Sequence, residues 1–224
     1  MSYPRVERNI TDHTDEFVLN FYTSNQSIEF DKDRCTGCSV CVKVCPKGVI
    51  VQKHHGKIRV KTEDLFPEIT DTTMCAYCGT CVYMCPFSAI TLKKNGKPVA
   101  LKDIPIVKEK VVPKLESIRL KCKSNNKYAN IYVEGKVIID WNRCISCMSC
   151  YEVCPNRAFF KTEKKNKLGK TVKLDINVRA ACLYCHACEV ACSQNAIKVK
   201  VDKINFSGDF KEPFWTDLLR RSQS

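Results

Sequence analysis

The chain has little glycine and lacks the patterns by which glycine marks a nucleotide site. Only 8 of its 224 residues are glycine, and no two are spaced for the G-x-G-x-x-G pattern of dinucleotide-binding domains. The segment Gly169-Lys170-Thr171 would end a phosphate-binding loop only with a glycine at 164, where the chain has Lys164. These absences exclude both kinds of nucleotide-binding domain.

Long hydrophobic runs and export signals are also absent. The first residues, MSYPRVERNITDHTDEF, contain no basic stretch followed by an apolar core, and no window approaches 18 apolar residues. We therefore expect a cytoplasmic protein without a membrane span. Hydrophobic residues make up 44% of the chain and charged residues 27%, which is ordinary globular usage. The length allows one large domain or two modest ones.

Cysteine, in contrast, is abundant, with 17 residues. Without an export signal, cysteines at this density are more typical of metal ligands than of disulfides, and a reducing, anaerobic compartment is a reasonable hypothesis. Sixteen of them fall into four segments of one pattern: CTGCSVCVKVCP, CAYCGTCVYMCP, CISCMSCYEVCP and CLYCHACEVACS. The segments begin at residues 35, 75, 144 and 182, so two close pairs are separated by a wide gap. The chain therefore looks like a duplicated module with two motifs in each copy.

The spacing within each motif assigns the cysteines to clusters. The first three lie on a tight loop and can converge on one cube, whereas the fourth lies about one helical turn, ~6 Å, further along. In two-cluster ferredoxins this fourth cysteine binds the other cluster. The pattern predicts four crossed sets of iron ligands: set I (Cys35, Cys38, Cys41, Cys85), set II (Cys75, Cys78, Cys81, Cys45), set III (Cys144, Cys147, Cys150, Cys192) and set IV (Cys182, Cys185, Cys188, Cys154). Structural zinc, the alternative, expects paired knuckles and does not explain the triplets.

The four motifs resemble those of bacterial-type ferredoxins with two 4Fe-4S clusters, and the chain resembles an archaeal polyferredoxin built from two such modules. Matching motifs cover residues 26–92 and 135–201. The sequence CAYCGTCVYMCPFSAI and the inserted hairpins are similar to the polyferredoxin subunit of formylmethanofuran dehydrogenase in methanogenic archaea. The resemblance implies an α+β fold of two tandem ferredoxin-like 2[4Fe-4S] modules with inserted β-hairpins, carrying four 4Fe-4S clusters.

Composition and turn signals divide the chain into five segments. We expect an N-terminal arm (1–25), a first 2[4Fe-4S] module (26–104), a linker (105–133), a second module (134–203) and a C-terminal docking tail (204–224). Strands are predicted to begin five residues after each last cysteine, at Ile50, Ile90, Phe159 and Ile197. Gly-Lys turns predict hairpins at roughly 50–62, 90–101 and 158–176.

Three residues depart from the repeat. Ser193 replaces the proline that follows the last cysteine of the other motifs, which we interpret as tolerated variation. His186 is interpreted as a solvent-facing loop residue rather than a donor to a cluster. Cys122 is the seventeenth cysteine and is left outside the four complete sets, so we expect a structural thiol.

No nucleophile-base pair or flavin or nicotinamide signature appears, so we expect no catalytic residues and no enzymatic activity. The favoured function is an electron-transfer polyferredoxin that relays single electrons to or from a redox enzyme complex, with another ferredoxin as a candidate donor. A freely diffusing ferredoxin carrier is the first alternative. The net charge of +13 leaves a metal-bound nucleic-acid module as another, and an enzyme with a hidden catalytic site as a third.

Overall fold

The computed structural model describes residues 3–52, 58–123, 126–165, 168–178 and 182–223, and its fold is α+β. The strands are β1 (Arg5–Ile10), β2 (Thr14–Asn20), β3 (Asn25–Asp31), β4 (Ile50–Gln52), β5 (Pro67–Ile69), β6 (Ile90–Lys94), β7 (Lys97–Pro98), β8 (Ile118–Lys121), β9 (Tyr128–Ile131), β10 (Val133–Ile139), β11 (Phe159–Lys165), β12 (Thr171–Ile176) and β13 (Ile197–Ile204). The helices are α1 (Val40–Val44), α2 (Thr80–Tyr83), α3 (Pro105–Lys108), α4 (Ser149–Val153), α5 (Ala187–Val190) and α6 (Pro213–Gln223).

Two halves of the chain repeat one plan. In the first half, β3 precedes the first motif and pairs antiparallel with β6, which follows the second motif. In the second half, β10 and β13 hold the equivalent positions and pair in the same way. The two halves also share one backbone hydrogen bond of 2.8 Å at the end of this strand pair. Asp31 N–H donates to Ala89 O in the first half, and Asp140 N–H donates to Ala196 O in the second. The tandem modules predicted from the repeat are therefore present.

Strands begin where the sequence predicts them. β4, β6, β11 and β13 start at Ile50, Ile90, Phe159 and Ile197, which confirms the four predicted positions. β6 turns into β7 through Asn95 and Gly96, which both have positive φ, as a two-residue hairpin turn requires.

One further strand pair lies between the two motifs of each module. β4 pairs with β5 in the first module and β11 pairs with β12 in the second. Of the predicted hairpins, residues 53–57 and 166–167 lie outside the described residues.

The N-terminal segment enlarges the sheet of the first module. β1 and β2 pair antiparallel, and β2 pairs with β3, so the sheet has the order β1-β2-β3-β6-β7. Phe17 and Leu19 on β2 are buried in the same core as Phe30. The alternation of these residues along the strand gives β2 one apolar face, which binds it to the module.

The C-terminal segment packs both on α1 of the first module and on β13 of the second. Trp215 and Leu218 of α6 are buried in one core with Val44 of α1, and Trp215 stacks edge-on against Phe206. The guanidinium of Arg221 donates to the carbonyl oxygen of Cys45 at 3.0 Å. This segment therefore covers a cysteine motif of its own chain, and its docking to another subunit stays a prediction.

The two modules contact each other directly. Val60, in the segment between the first two motifs, donates its backbone N–H to Ser149 Oγ of α4 at 3.0 Å, and that hydroxyl donates to Ile58 O at the same distance. Val60 and Leu65 share a small core with Val153 of the second module. Among the helices of the described segments, none is both long and apolar enough to cross a membrane.

Candidate metal centres

All four cysteine motifs adopt the same backbone conformation. Residues at three equivalent positions have positive φ in every motif: Gly37, Tyr77, Ser146 and Tyr184; Ser39, Gly79, Met148 and His186; and Gly48, Ser88, Arg157 and Asn195. Most of these residues are not glycine, so the left-handed conformation costs about 1–3 kcal/mol at each of them. Such turns point successive N–H groups into one concave space, which suits an anionic group.

Backbone N–H groups accordingly donate to cysteine sulfurs. In the three described cases at a fourth cysteine, the residue four positions later donates to Sγ at 3.2–3.3 Å: Ala89 to Cys85, Ala158 to Cys154 and Ala196 to Cys192. At a first cysteine, the residue two positions later donates at 3.4 Å, from Ser146 to Cys144 and from Tyr184 to Cys182. Hydrogen bonds to sulfur stabilise the thiolate form that metals bind.

Short helices direct the fourth cysteine of each motif toward its partner motif. The third cysteine lies in α1, α2, α4 or α5, and the fourth follows the end of that helix. α1 packs on α2, and α4 packs on α5. The helix pair therefore carries each fourth cysteine away from its own loop, as the spacing predicts.

Three cavities are lined by three of the predicted sets. Set I lines one cavity, set II lines a second, and set III lines a third. Within the described residues, no three of the cysteine, histidine or carboxylate side chains are arranged to hold a single metal ion. A mononuclear zinc site needs four thiolates about 2.3 Å from one point. In each of the three cavities, the four cysteines of one predicted set line the same space.

The cysteines of set IV also lie together. Burial, with a smaller contribution from the charge of Cys154, raises the pKa of Cys182 to about 11, although the N–H of Tyr184 opposes the rise. Burial and the charge of Cys154 likewise raise the pKa values of Cys185 and Cys188. The fourth cysteine of the third motif is thus close to the first three cysteines of the fourth motif.

Burial keeps these thiols protonated in the metal-free chain. It raises the pKa of Cys35 and of Cys75 to about 11, and that of Cys150 to about 12. A metal ligand must be a thiolate, so the sites need the positive charge of bound iron to offset the cost of burying four anions.

Two buried hydroxyls fit an iron-sulfur group in the cavity of set I. Thr36 and Ser39 are 1% and 5% exposed, and both line that cavity. Their hydroxyl oxygens have no hydrogen-bond partner within the described part of the chain. A buried hydroxyl without a partner is costly, and a cluster bound in this cavity would supply sulfur acceptors there.

The two modules meet where sets I and IV approach each other. The charge of Cys185 raises the pKa of Cys38, after the larger effects of burial and of Cys85. Both sets border one small core that includes Phe87 and Leu183. Cys122 is buried in the same core, and this burial agrees with the structural role predicted for it.

The prediction for His186 was wrong. The side chain is only 3% exposed, and its Nδ1 lies 2.9 Å from Glu189 Oε2. Glu189 also accepts a hydrogen bond from the backbone N–H of Val199, so the pair fastens α5 to β13. The His-x-x-Glu spacing at the start of a helix is the sequence signal that could have indicated this pairing.

The chain matches known iron-sulfur protein families. One model described as a 4Fe-4S dicluster domain matches residues 34–90 and 74–159, and a second of the same description matches residues 143–196. An uncharacterized ferredoxin of Methanocaldococcus jannaschii is 37% identical over 71 residues, which are 30% of this chain and 82% of that protein.

Two further similarities concern larger assemblies. NADH-quinone oxidoreductase subunit I of Pelobacter propionicus is 31% identical over 99 residues, so 40% of this chain corresponds to 49% of that subunit. A chain of the formate dehydrogenase, heterodisulfide reductase and formylmethanofuran dehydrogenase complex from Methanospirillum hungatei has the same fold. The TM-score is 0.78 at 20% identity, over 100% of this chain and 93% of that one. With its two dicluster modules and four 4Fe-4S clusters, the chain belongs to the 4Fe-4S dicluster domain family and is an electron-transferring polyferredoxin.

Proposed function

We propose that sets I to IV each hold one 4Fe-4S cluster and that the chain relays single electrons along them between the subunits of a redox enzyme complex. The shared core that Cys38 and Cys185 border across the module boundary carries this proposal, since it joins two cluster pairs into one path. The clusters supply one-electron chemistry. The chain supplies sixteen thiolates, N–H donors to sulfur, and apolar cover against water.

The order of the path differs from the order of the sequence. Within the first module, the charge of Cys81 in set II contributes to the raised pKa of Cys41 in set I. Within the second module, the charge of Cys150 in set III contributes to the raised pKa of Cys188 in set IV. Together with the junction of sets I and IV, these neighbours give the order II, I, IV, III. Sets II and III are the ends of the relay, where partners would exchange electrons.

The likeness to a chain of a formylmethanofuran dehydrogenase assembly supports a role as a non-catalytic subunit of such a complex. Another ferredoxin is the electron donor that we propose for it. We assign it to the cytoplasm. The finer architecture that we infer is a ferredoxin-like module with a β-hairpin inserted between its two motifs, repeated in tandem. The strand pairs β4–β5 and β11–β12 support it.

Crossed ligation is tested by matched alanine variants of the first module. Cys85→Ala should damage the cluster held by Cys35, and Cys45→Ala should damage the cluster held by Cys75. Each variant is reconstituted anaerobically, and the surviving cluster is identified by Mössbauer and EPR spectroscopy with iron counting. If each motif closed on its own cluster, the damage would stay with the mutated motif and the crossed sets would be wrong.

The relay is tested by magnetic coupling between reduced clusters. Loss of set I through Cys35→Ala should remove the coupling between the modules, because sets I and IV form their junction. Loss of set II through Cys75→Ala should leave that coupling intact. Coupling that survives the loss of set I would contradict the proposed order. Separate halves of the chain are poor tests, because cutting after residue 104 removes Trp215 from the core of the first module.

A further inference from the structure

Strand β10 has an open side at the place where the first module carries an additional strand. In the first module, the strand that precedes the first motif, β3, lies between β2 and β6. Its counterpart β10 precedes the third motif and, among the described residues, pairs with β13 alone. The side of β10 away from β13 is therefore a free edge, which presents backbone groups that a further strand can pair with.

The alternation of hydrogen bonds along β10 shows which backbone groups lie at the free edge. Just beyond β10, Asp140 donates its N–H to Ala196 on the side of β13. Residues of an antiparallel strand direct their N–H and C=O groups to its two sides in turn. The backbone groups of Val137 and Ile139 therefore point away from β13, toward the free edge.

Two apolar side chains of β10 are covered less well than their counterparts in β3. Ile28 and Phe30 of β3 are 1% and 3% exposed, and Phe17 of β2 packs edge-on against Phe30 with 6.0 Å between the ring centroids. Val137 and Ile139 hold the equivalent positions of β10 and are only half-buried. An added strand with an apolar residue in the place of Phe17 would cover them.

Charges on the outer face of the two sheets indicate what kind of strand fits. In the first module, Lys93 of β6 forms ion pairs with Glu29 of β3 and Glu16 of β2. The equivalent residue of β13, Lys200, is exposed and forms no ion pair with any described residue. Ile138, which is 47% exposed, takes the place of Glu29. A carboxylate on an added strand, in the place of Glu16, would give Lys200 the partner that Lys93 has.

We propose that the free edge of β10 binds an extended segment of another subunit as an antiparallel strand, and that this segment carries apolar and acidic residues as β2 does. This inference rests on the proposed relay, because β10 leads into the third motif, whose first three cysteines belong to set III at one end of the path. The added strand would hold that subunit beside the cluster with which it exchanges electrons. A second copy of this chain fits less well, because two paired β10 strands would place Lys136 and Lys200 of both copies on one face.

The probe is a synthetic peptide with the sequence of residues 12–22, which contains β2, added to the anaerobic, cluster-loaded protein and followed by calorimetry. The natural peptide should bind, and a peptide with Glu16→Lys should bind about tenfold more weakly. Lys200→Glu in the protein should weaken binding of the natural peptide about tenfold and should restore binding of the changed one. Lys173→Glu, which makes the same charge change on the exposed face of β12, is the control and should alter neither affinity.

Hydrogen exchange followed by mass spectrometry locates the bound peptide. In the protein alone, the amide groups of Val137 and Ile139 should exchange faster than those of Ile28 and Phe30, which β2 covers. The natural peptide should slow exchange at Val137 and Ile139. Absence of binding, protection elsewhere, or binding that ignores Lys200→Glu would each overturn the proposal.

Sedimentation of the cluster-loaded protein tests the other occupant. We expect a monomer. If the protein dimerises and Val137→Pro, which removes an N–H at the free edge, dissociates the dimer, a second copy occupies the edge and the proposal is wrong. The proposed relay is judged separately, by about 16 iron and four reduction steps in the natural protein. Peptide binding needs no electron transfer, so failure of one proposal is distinguishable from failure of the other.

Discussion

The two modules share one motif arrangement but protect it to different degrees. In the first module, four of the eight ligands of the predicted sets are buried, namely Cys38, Cys41, Cys45 and Cys81. In the second, Cys150 alone is buried among the eight, which all lie in the described part of the chain. The loops themselves are equivalent, as their shared left-handed positions show. The difference therefore comes from what packs around them.

The additional cover of the first module comes from both ends of the chain. Strands β1 and β2 widen its sheet to five strands, while β10 and β13 form a two-stranded sheet in the second module. Helix α6 adds Trp215 and Leu218 to the first core. Duplication thus produced two similar metal frameworks, and the segments outside the repeat made them unequal.

Exposure to air should separate the modules most clearly. Because the ligands of sets III and IV are less buried, oxygen should destroy the clusters of the second module first. Iron loss should then be biphasic, with about 8 of 16 iron leaving in the faster phase, on the basis of four iron per cluster. Timed iron release and EPR on partly oxidised samples measure the order. A single phase, or earlier loss from the first module, would show that ligand burial does not control stability.

Removal of the Trp215 side chain should make the first module lose iron in air almost as fast as the second. Trp215 is fully buried, and truncation of a buried tryptophan to alanine costs about 3–5 kcal/mol. We expect Trp215→Ala to lower the midpoint of anaerobic denaturation and to bring iron loss from the first module up to the rate of the second. Phe160→Ala, at an exposed side chain in the second module, is the control. Unchanged iron loss in Trp215→Ala would mean that α6 does not protect the clusters.

Substitutions at one equivalent position of the first and third motifs should show that the loop of the first motif is packed more tightly. Gly37 and Ser146 both follow a first cysteine by two residues and both have positive φ. A Cβ on Gly37 would lie 2.3 Å from Cβ of Leu65, so Gly37→Ser should destabilise the first module by about 1–3 kcal/mol through overpacking. Ser146→Gly should not destabilise the second module, because relief of the left-handed strain at Ser146 offsets the loss of the hydrogen bond that its Oγ accepts from Lys173 N–H. Chemical denaturation measures the free energy of unfolding of both variants. Equal changes in that free energy would show that the two loops are packed alike.

The smallest effect should come from an ion triad in the first module. Lys93 on β6 lies 3.3 Å from Glu16 and 2.6 Å from Glu29. Burial tends to raise the pKa of Glu16, but hydrogen bonds from Ser27, Asn9 and Lys93 lower it overall. The lowered pKa means that Glu16 stabilises the fold above its ordinary value of 4.5 and loses that contribution as the pH falls through the lowered pKa.

We expect Glu16→Gln to cost about 1 kcal/mol at neutral pH, with the difference from the natural protein shrinking only under acid conditions. Lys136→Met, which breaks an exposed pair with Asp202 in the second module, should cost almost nothing. Denaturation at several pH values tests both variants. If Glu16→Gln no longer destabilised the protein at pH 6, the pKa of Glu16 would not be lowered as we expect.

Local spacing accounts for the parts of the structure that the sequence predicts. The cysteine intervals predict which thiols line each cavity, because three fit one tight loop and the fourth lies a helical turn away. The strands after the motifs follow from short apolar runs such as the one at Ile197. These features depend on residues close together in the chain.

The features that the sequence does not predict depend on distant contacts. Tyr77 and Met148 adopt the left-handed conformation because the fold imposes it, although neither residue favours it. Trp215 reaches a core assembled largely from residues far earlier in the chain. No short-range pattern marks such packing.

The docking of α6 has a consequence for how the protein is made. Residues after 203 are translated after both modules, yet Trp215 completes the core of the first one and Arg221 caps the carbonyl of Cys45. While the second module is still emerging from the ribosome, the first has an open side next to its cysteines. The cover that α6 gives to Cys45 is therefore the last part of the first module to be added during synthesis.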